Sequence, residues 1–366
     1  MALEELHLHH FRNITSQRLV FSPGLNIVFG LNGSGKTSLL EAIYYLSTGR
    51  SFRTSKHNRV VQEGNDRFTL FGRVAEASGR HRLGIERVIG GQEATLHKNG
   101  LKLRSIAEFA RLMAVSVIEP GTFDLVSGGP GFRRRFLDWL VFHVEHDYGR
   151  RWKACQRAIR QRNHLLRHGI LSDQELGPWT QQVAVLGEEI TRSRANGFEL
   201  FRKELDRMLS NSGADWAQGL KLEFARGWDA NQGLEATLTA NPQSEQRAGF
   251  TLYGPNRADI RIRSGNQPAG EVLSRGQQRS LVILMKLAQM RVLREQCGIR
   301  GVCLLDDINA ELDTGNQQLL AGELLALGCQ LFVTSITSPG HEGPWSGVSA
   351  GDYRMFHVEH GQFSEQ

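Results

Sequence analysis

The N-terminal third of the chain carries the short alternating and continuous apolar runs that are typical of β-strands. "LHLHHF" alternates between apolar and polar residues, and Leu25–Phe29 is a short apolar run, so two strands are predicted before residue 30. Several alternating runs occupy 68–103, where Asn99 and Gly100 have the composition of a two-residue hairpin turn. Met113–Ile118 is a further predicted strand. This region is therefore predicted to be rich in β-sheet.

The apolar spacing changes to a helical period between residues 131 and 210. The apolar positions with this spacing are Phe136, Leu140, Trp152, Cys155, Ile159, Leu166, Val183, Leu186, Ile190, Leu200, Leu205 and Met208. We expect a helical arm here, inserted into an α/β body. Beyond the arm, a helix that follows Gly276, a strand at Val302–Asp306, a helix near 314–327 and a strand at Gln330–Thr334 alternate along the chain. That alternation is typical of a parallel sheet.

Composition indicates a globular protein. The 366 residues are 40% hydrophobic, which is enough for about two to three domains. The net charge of +6 and the pI of about 9.3 are compatible with an acidic partner such as nucleic acid. The four cysteines lack metal-ligand spacing, as expected for thiols in a reducing cytosol. The N-terminus lacks a signal-peptide pattern and no apolar run reaches membrane-spanning length, so we expect a soluble, cytoplasmic protein.

A glycine-rich loop, "GLNGSGKT" at Gly30–Thr37, matches the pattern G-x-x-x-x-G-K-[ST] and lies between a predicted strand and a predicted helix. Glycines allow consecutive backbone N–H groups to curl around phosphate oxygens. Lys36 is expected to reach the β- and γ-phosphates of ATP, and the Thr37 hydroxyl is expected to bind Mg²⁺. An ordinary glycine turn before a helix is the alternative. The residues of this segment predicted to bind the nucleotide are Gly30, Asn32, Gly33, Ser34, Gly35, Lys36, Thr37 and Ser38.

Two carboxylates follow the apolar strand in "VCLLDDINAELD", Val302–Asp313. Asp306 is expected to hold Mg²⁺, directly or through water, and Asp307 to polarise the attacking water. Asp307 and Lys36 are therefore the predicted catalytic residues. A solvated acidic turn is the alternative. Positions 36 and 306 are too far apart in the chain for a compact single-domain ATPase, so the sequence predicts an insertion between the two motifs.

The segment "LSRGQ", Leu273–Gln277, precedes a long predicted helix and resembles the signature motif of ABC-type ATPases. The resemblance implies that two heads sandwich two ATP molecules, each signature closing on the γ-phosphate bound by the other head. "AELD", Ala310–Asp313, is implied to cross that interface. The resemblance implies that Ser274 and Gly276 contact the ATP bound by the other head and that Gln277 supports their loop. It also implies that Asp313 anchors the segment that crosses the interface. A plain helix cap at Ser274 is the alternative.

Nearly the whole chain resembles the RecF family of bacterial recombination mediators. The motifs that carry this resemblance are Phe11-Arg12-Asn13, Leu40-Glu41-Ala42, Ser51-Phe52-Arg53, "GGPGFRRRFLDWL", "RQRNHLL" and "LSRGQQRSLVILMKLA". The resemblance implies that Arg12 and Asn13 lie near the nucleotide. The segment "GPNRADI", Gly254–Ile260, departs from the family by lacking a histidine and an acid. Asp307 stands where most ABC-type ATPases have a longer glutamate, so we expect slow hydrolysis.

The resemblance implies an α/β fold: an ABC-type P-loop ATPase head, with a mixed-sheet lobe and a helical and parallel-sheet lobe, and an inserted short helical arm. We expect an N-terminal lobe at 1–118, the arm at 119–212 and a C-terminal lobe at 213–366.

Arginine is concentrated in the predicted arm. From Gly131 to Ile170 the sequence has nine Arg and one Lys against three acids. This favours contact with DNA phosphates, and a solvated helix face is the alternative. Some of these arginines, especially in "RRRFLD", are instead expected to fix the arm to the head. The arginines predicted to contact DNA are Arg133, Arg134, Arg150, Arg151 and Arg157.

The implied function is that of an ATP-dependent DNA-binding protein of recombinational repair with weak, DNA-stimulated ATPase activity. An ATP-dependent homodimer would clamp duplex DNA near junctions with single-stranded gaps, release it after hydrolysis, and help RecR and RecO to load RecA. No membrane partner is expected. The alternatives are a structural chromosome or repair ATPase, a transporter ATP-binding subunit, and a DNA-binding protein with a vestigial nucleotide site. A long coiled coil, typical of the first, does not fit the short arm.

Overall fold

The computed structural model describes the whole chain except residues 77–78, 92, 171, 241, 309–311, 339–343, 346–347 and 350. The chain forms two compact units. Unit 1 comprises Met1–Thr122 and Gly298–Gln366, and unit 2 comprises Phe123–Cys297. The division into lobes at 1–118 and 213–366 and an arm at 119–212 stays a prediction.

The first sheet of unit 1 is antiparallel throughout. Its strands are β1 (Ala2–Phe11), β2 (Ile14–Val20), β4 (Arg67–Glu76), β5 (Gly79–Val88), β6 (Thr95–Lys98) and β7 (Leu101–Leu103). Their order across the sheet is β2-β1-β4-β5-β6-β7. The prediction of only two strands before residue 30 is wrong, because β2 precedes the strand at Leu25–Phe29. As an edge strand β2 buries only Ile14 and Leu19, so its sequence carries little apolar signal.

The second sheet of unit 1 is parallel except at one edge. Its strands are β3 (Leu25–Phe29), β8 (Val115–Ile118), β12 (Val302–Leu305), β13 (Gln330–Ser335), β14 (Tyr353–Glu359) and β15 (Gln362–Glu365). Their order is β15-β14-β3-β13-β12-β8, and only the β14–β15 pair among them is antiparallel. Since β3, β13 and β12 run in the same direction, their carboxyl ends meet at one edge of the sheet. The predicted parallel sheet is therefore confirmed.

The α-helices in the described part of unit 1 are α1 (Lys36–Thr48), α2 (Ala107–Leu112) and α11 (Thr314–Leu327). The helix α1 is buried on most of its surface, and Leu39 and Ile43 belong to a hydrophobic cluster that also contains Leu6 of the first sheet and Phe332 of the second. Burying each of these side chains contributes roughly 1.5–3 kcal/mol to stability. This packing fixes the start of α1 at the carboxyl edge of the parallel sheet.

Unit 2 is mainly helical. Its helices are α3 (Asp124–Ser127), α4 (Pro130–Val144), α5 (Tyr148–Arg167), α6 (Asp173–Ser212), α7 (Leu234–Ala240), α8 (Pro242–Ala248), α9 (Ala269–Val272) and α10 (Arg275–Cys297). A small antiparallel sheet has the order β11-β10-β9, with β9 (Leu220–Ala225), β10 (Asp259–Ser264) and β11 (Gln267–Pro268). The helical period predicted between 131 and 210 is confirmed by α4, α5 and α6.

The segment Gly254–Ile260 is a junction between these three helices. The donors that reach it are Arg133 of α4 to the Asp259 carboxylate, Arg134 of α4 to the Ala258 carbonyl, Gln156 of α5 to the Asn256 side chain, and Arg194 of α6 to the Pro255 carbonyl. The departure of this segment from its family pattern therefore lies in a structural junction of unit 2.

The four cysteines are free thiols. Cys155, Cys303 and Cys329 are buried and Cys297 is half-buried. Burial raises the pKa of the Cys155 thiol to about 12, which keeps that thiol protonated and unreactive at neutral pH. None of the helices in the described residues is long and apolar enough to cross a membrane.

Candidate functional site

The glycine-rich loop connects β3 to α1 and closes around the Lys36 ammonium group. Gly30, Gly33 and Gly35 have φ angles of 153°, 80° and 126°, a region that residues with a Cβ rarely adopt. A Cβ on Gly30 would also lie 2.3 Å from the Val358 carbonyl oxygen. The buried Lys36 Nζ donates to the carbonyl oxygens of Gly30 (2.7 Å) and Leu31 (3.1 Å). The loop thus has the curled backbone that its sequence predicted.

The loop leaves polar groups that an anion would satisfy. The α1 helix begins after Gly35 without a side-chain cap, so no capping side chain accepts from its first backbone N–H groups. The Ser34 hydroxyl is buried without a hydrogen-bond partner in the described part of the chain. A buried hydroxyl without a partner is costly, and a phosphate oxygen would satisfy it. The geometry therefore fits a phosphate group at the N-terminus of α1.

The two predicted metal ligands meet at the carboxyl edge of the sheet. The Thr37 hydroxyl donates to Asp306 Oδ1 over 3.0 Å, although the two residues are far apart in sequence. Burial raises the pKa of the Asp306 carboxyl, while the hydrogen bond from Thr37 opposes that change. A hydroxyl and a carboxylate are the hard oxygen ligands that Mg²⁺ prefers, so this pair fits the ion. Asp307 follows with a left-handed backbone (φ 48°) and lines the adjoining cavity.

Asp306→Asn is expected to stabilise the nucleotide-free protein. A carboxyl whose pKa is raised by folding stabilises the fold when protonated, and that contribution is lost as pH rises through the raised pKa. The neutral amide removes this buried charge, so the melting temperature at neutral pH should rise by about 1–3 °C. Calorimetry without nucleotide measures this melting temperature, and the gain should shrink as pH falls.

The Asp306→Asn variant should also lose the additional rise in melting temperature that Mg²⁺ gives when it is added together with ATP. A lower melting temperature with that stabilisation intact would contradict the assignment.

A cavity of about 760 Å³ lies above the glycine loop. Besides the glycine loop and Asp307, its lining includes Arg12, Asn13, Arg53, Arg59, Val61, Gln62 and Glu63. Arg53, Arg59 and the segment 61–63 were missed as site residues by the sequence analysis. Arg53 belongs to the quoted Ser-Phe-Arg motif, which was the only signal for it, and the others lie in a stretch without periodicity. With Arg12 and Lys36 the wall holds four cations, which favours a polyphosphate.

Three of the family motifs meet at one buried carboxylate. Arg12 donates from Nε (2.9 Å) and Nη2 (2.6 Å) to Glu41, and the Ser51 hydroxyl donates to the same group. Glu41 is fully buried in α1, so this bidentate pair fixes the loop after β1 to the helix that follows the glycine loop. Arg12 Nη1 also donates to the Arg59 carbonyl oxygen (2.6 Å). Arg12 therefore has a structural task as well as a place in the cavity wall.

Asn13 holds the glycine loop itself. Its Nδ2 donates to the carbonyl oxygens of Gly33 (3.3 Å) and Ser34 (3.1 Å), and its Oδ1 accepts from the Ser38 hydroxyl (2.8 Å). These bonds tie the middle of the glycine loop and the first turn of α1 to one amide. Direct contact of Arg12 or Asn13 with the nucleotide stays a prediction.

The predicted signature begins α10 with a capping box. The Gln277 N–H donates to the Ser274 hydroxyl (3.3 Å), and the Ser274 N–H donates to Gln277 Oε1 (2.9 Å). The helix-cap alternative is therefore correct as a description of this turn. Ser274 and Gly276 are nevertheless exposed, and the nearest described atom to a Cβ on Gly276 would be the Ser274 hydroxyl, at 4.0 Å. The contact with a partner's ATP stays a prediction.

Asp313 caps the next helix of unit 1. Its carboxylate accepts from the Asn316 N–H (2.8 Å) and from Asn316 Nδ2 (2.7 Å), and the backbone hydrogen bond is the main cause that lowers the Asp313 pKa. The side chain is exposed. Ala310 and Glu311 of the predicted crossing segment lie outside the described residues, so the anchor role of Asp313 stays a prediction.

A continuous basic face runs along α5. The exposed residues spaced three or four apart on this helix are Arg150, Lys153, Arg157, Arg160, His164 and Arg167. They span about 26 Å at 1.5 Å per residue, and α5 itself contains no acidic residue. Arg150 is paired with Asp147 but its side chain remains 78% exposed. This face has the charge and length of a surface for nucleic-acid phosphates.

Four other arginines of the arm are engaged within unit 2. Arg133 pairs with Asp259 and Arg134 donates to the Ala258 carbonyl, so both fix α4 to the junction before β10. Arg151 is half-buried between Asp147 and Glu189, and Arg162 is fully buried against Glu245. Among the five predicted DNA contacts, Arg150 and Arg157 lie on the exposed face of α5.

The chain is similar over its whole length to known proteins of one family. The family described as the RecF/RecN/SMC N terminal domain matches residues 2–346. The chain is 46% identical over 374 residues to the DNA replication and repair protein RecF of Marinobacter nauticus, with 100% of both chains covered. It is 40% identical over 365 residues to the protein of the same name from Cellvibrio japonicus, with 100% of this chain and 99% of the relative covered.

The fold of this chain is also similar to the folds of solved structures. The recombination mediator protein RecF-ATP in the RecFOR pathway aligns with a TM-score of 0.87 at 26% identity, covering 100% of this chain and 97% of the other. An Smc head bound to the C-winged helix domain of ScpA aligns with a TM-score of 0.58 at 14% identity, covering 100% and 97%, and shares the fold alone. The α/β fold of an ATPase head is thereby confirmed.

Proposed function

The chain belongs to the RecF family of DNA replication and repair proteins, and from that premise we propose that it is an ATP-dependent DNA-binding protein of recombinational repair. The observation that carries the proposal is the joint placement of Lys36, Thr37 and Asp306 at the carboxyl edge of one sheet, below a cavity walled by cations. A relative of known structure is described as bound to ATP.

The nucleotide step uses groups of unit 1. Lys36 exchanges its two carbonyl partners for phosphate oxygens, and the N-terminal N–H groups of α1 and the Ser34 hydroxyl bind the same anion. Thr37 and Asp306 would hold Mg²⁺, which neutralises charge on the phosphates when bound. Asp307 orients and polarises the attacking water. Its side chain is one methylene shorter than that of glutamate, so hydrolysis is slow and suits a switch.

Two copies complete the site. The γ-phosphate of each ATP is bound by Ser274 and Gly276 of the other copy, with Gln277 supporting the loop and Asp313 anchoring the crossing segment. This assignment is supported by the exposure of Ser274 and Gly276 at the start of α10. Because ATP then binds the paired state better than the single chain, ATP shifts the equilibrium toward pairing and hydrolysis reverses it.

The paired state clamps duplex DNA near junctions with single-stranded gaps. The exposed basic face of α5 supplies contacts to DNA phosphates, which carry affinity without base readout. DNA contact favours the paired state and stimulates the weak ATPase activity. The structural relative is described in the RecFOR pathway, which supports RecR and RecO as partners that help to load RecA.

Arg157→Glu is expected to weaken DNA binding while leaving ATP binding intact. Arg157 is exposed on α5, and reversing its charge replaces a phosphate attraction with repulsion. The dissociation constant for a gapped duplex should rise about tenfold. The slope of the logarithm of the affinity against the logarithm of the salt concentration should become shallower by about one. Fluorescence anisotropy at several salt concentrations, with and without ATP and Mg²⁺, measures both.

The matched control for Arg157→Glu is Lys102→Glu on the exposed strand β7, which changes the net charge equally. The control should keep native DNA affinity. Equal weakening by both variants would indicate a nonspecific charge effect. A native protein that ignores DNA in the presence of ATP would instead favour a transporter subunit and contradict the proposed function.

A further inference from the structure

We propose that Thr334 is a positioning residue that holds Asp306 and Asp307 in the geometry needed for metal binding and water activation. The inference rests on the proposed ATPase function. Thr334 lies near the end of β13, between β3 and β12, and is fully buried. Valine would fill the same space in a strand interior, and a buried hydroxyl is costly unless it is bonded. The hydroxyl at this position therefore indicates a task.

The Thr334 hydroxyl has three partners at the site, of which the Leu305 carbonyl oxygen, at 3.5 Å, is the most distant. It donates to Asp306 Oδ1 over 3.0 Å and accepts from the Asp307 N–H over 2.9 Å. Asp306 Oδ1 also accepts from Thr37, so hydroxyls from β13 and α1 hold one carboxylate oxygen from two directions. Within the described contacts this leaves Oδ2 for a metal ion or its water. Outer hydrogen bonds of this kind orient metal ligands.

The bond to the Asp307 N–H stabilises an uncommon backbone. Asp307 has a φ of 48°, a left-handed conformation that is unfavourable for a residue with a Cβ. The N–H of such a residue needs a fixed partner if the turn is to persist, and Thr334 provides it. The turn directs Asp307 into the lining of the cavity. One hydroxyl thus couples the metal-binding carboxylate to the carboxylate that polarises water.

The experiment compares Thr334→Val, which deletes the hydroxyl at nearly constant volume, with Thr334→Ser, which keeps it. Binding of a non-hydrolysable ATP analogue is measured by calorimetry in Mg²⁺ and again in EDTA, and turnover is measured separately. We expect Thr334→Val to lower the affinity in Mg²⁺ and the turnover about tenfold to a hundredfold. The affinity in EDTA should stay within about twofold of native, and Thr334→Ser should recover to within about threefold.

The matched control is Thr191→Val on α6 of unit 2. The Thr191 hydroxyl is also buried but has no hydrogen-bond partner within the described residues, so its loss should leave every measurement native. Thr334→Ala is a second hydroxyl deletion in case the valine variant does not fold.

The outcomes separate the inference from the function on which it rests. Native affinity in Mg²⁺ for both deletions overturns the inference, and so does an equal loss in Mg²⁺ and EDTA, because that pattern indicates a purely structural role. A native chain that binds no analogue in Mg²⁺ overturns the proposed function, and the inference with it.

Discussion

Lys36→Ala is expected to abolish ATP binding and, with it, ATP-dependent pairing. Lys36 is 4% exposed, and its ammonium group is enclosed by the glycine loop. Charge-assisted hydrogen bonds contribute about 1.5–3 kcal/mol each, so losing two or three of them at the phosphates should weaken binding about a hundredfold or more. Calorimetry measures the binding, and light scattering with ATP, Mg²⁺ and gapped DNA measures the mass.

The control for Lys36→Ala is Lys102→Ala, which removes an exposed lysine on β7 and should preserve native binding and pairing. Circular dichroism checks that the alanine at position 36 has not unfolded the loop and α1. A Lys36→Ala protein that still doubles its mass with ATP would rule out nucleotide as the bridge between copies.

Ser274→Arg is expected to separate the two activities of the chain. ATP binding to unit 1 should stay within about threefold of native, because Ser274 belongs to unit 2 and is exposed there. Pairing should be lost, since an arginine at the start of α10 blocks the approach of the other copy's γ-phosphate. Turnover should fall about tenfold or more if the paired state is the catalytic one. Light scattering and phosphate release test these results.

The substitution also removes a helix cap, which by itself costs about 1 kcal/mol. Ser172→Arg is the control for the added arginine, because Ser172 is also an exposed serine that precedes a helix, α6, in the same unit. It adds the same cation before a helix, but Ser172 makes no side-chain cap hydrogen bond, so it should keep stability and pairing close to native. If the two variants pair equally well with ATP, the trans role of Ser274 is wrong and its capping box is its whole function.

The sequence predicted those parts of the site that local chemistry controls. The strand before Gly30, the curled loop and the helix from Lys36 follow from glycine geometry and apolar spacing within about twenty residues. The carboxylates after β12 and the helical arm were equally predictable from contiguous patterns. The strand β2 was not, because an edge strand with two buried residues carries a weak pattern.

The sequence by itself determined that this protein has a glycine-rich loop between a strand and a helix, a pair of acids after a buried strand, and an arginine-rich helical segment. Only the tertiary structure decided that the Thr334 and Thr37 hydroxyls both donate to Asp306, because side chains from neighbouring strands and the adjoining helix meet without any fixed spacing along the chain. It also decided which arginines stay available. Arg133 forms an ion pair with Asp259, whereas Arg157 is exposed on α5. Burial and partner choice depend on packing between distant segments, which local sequence does not encode.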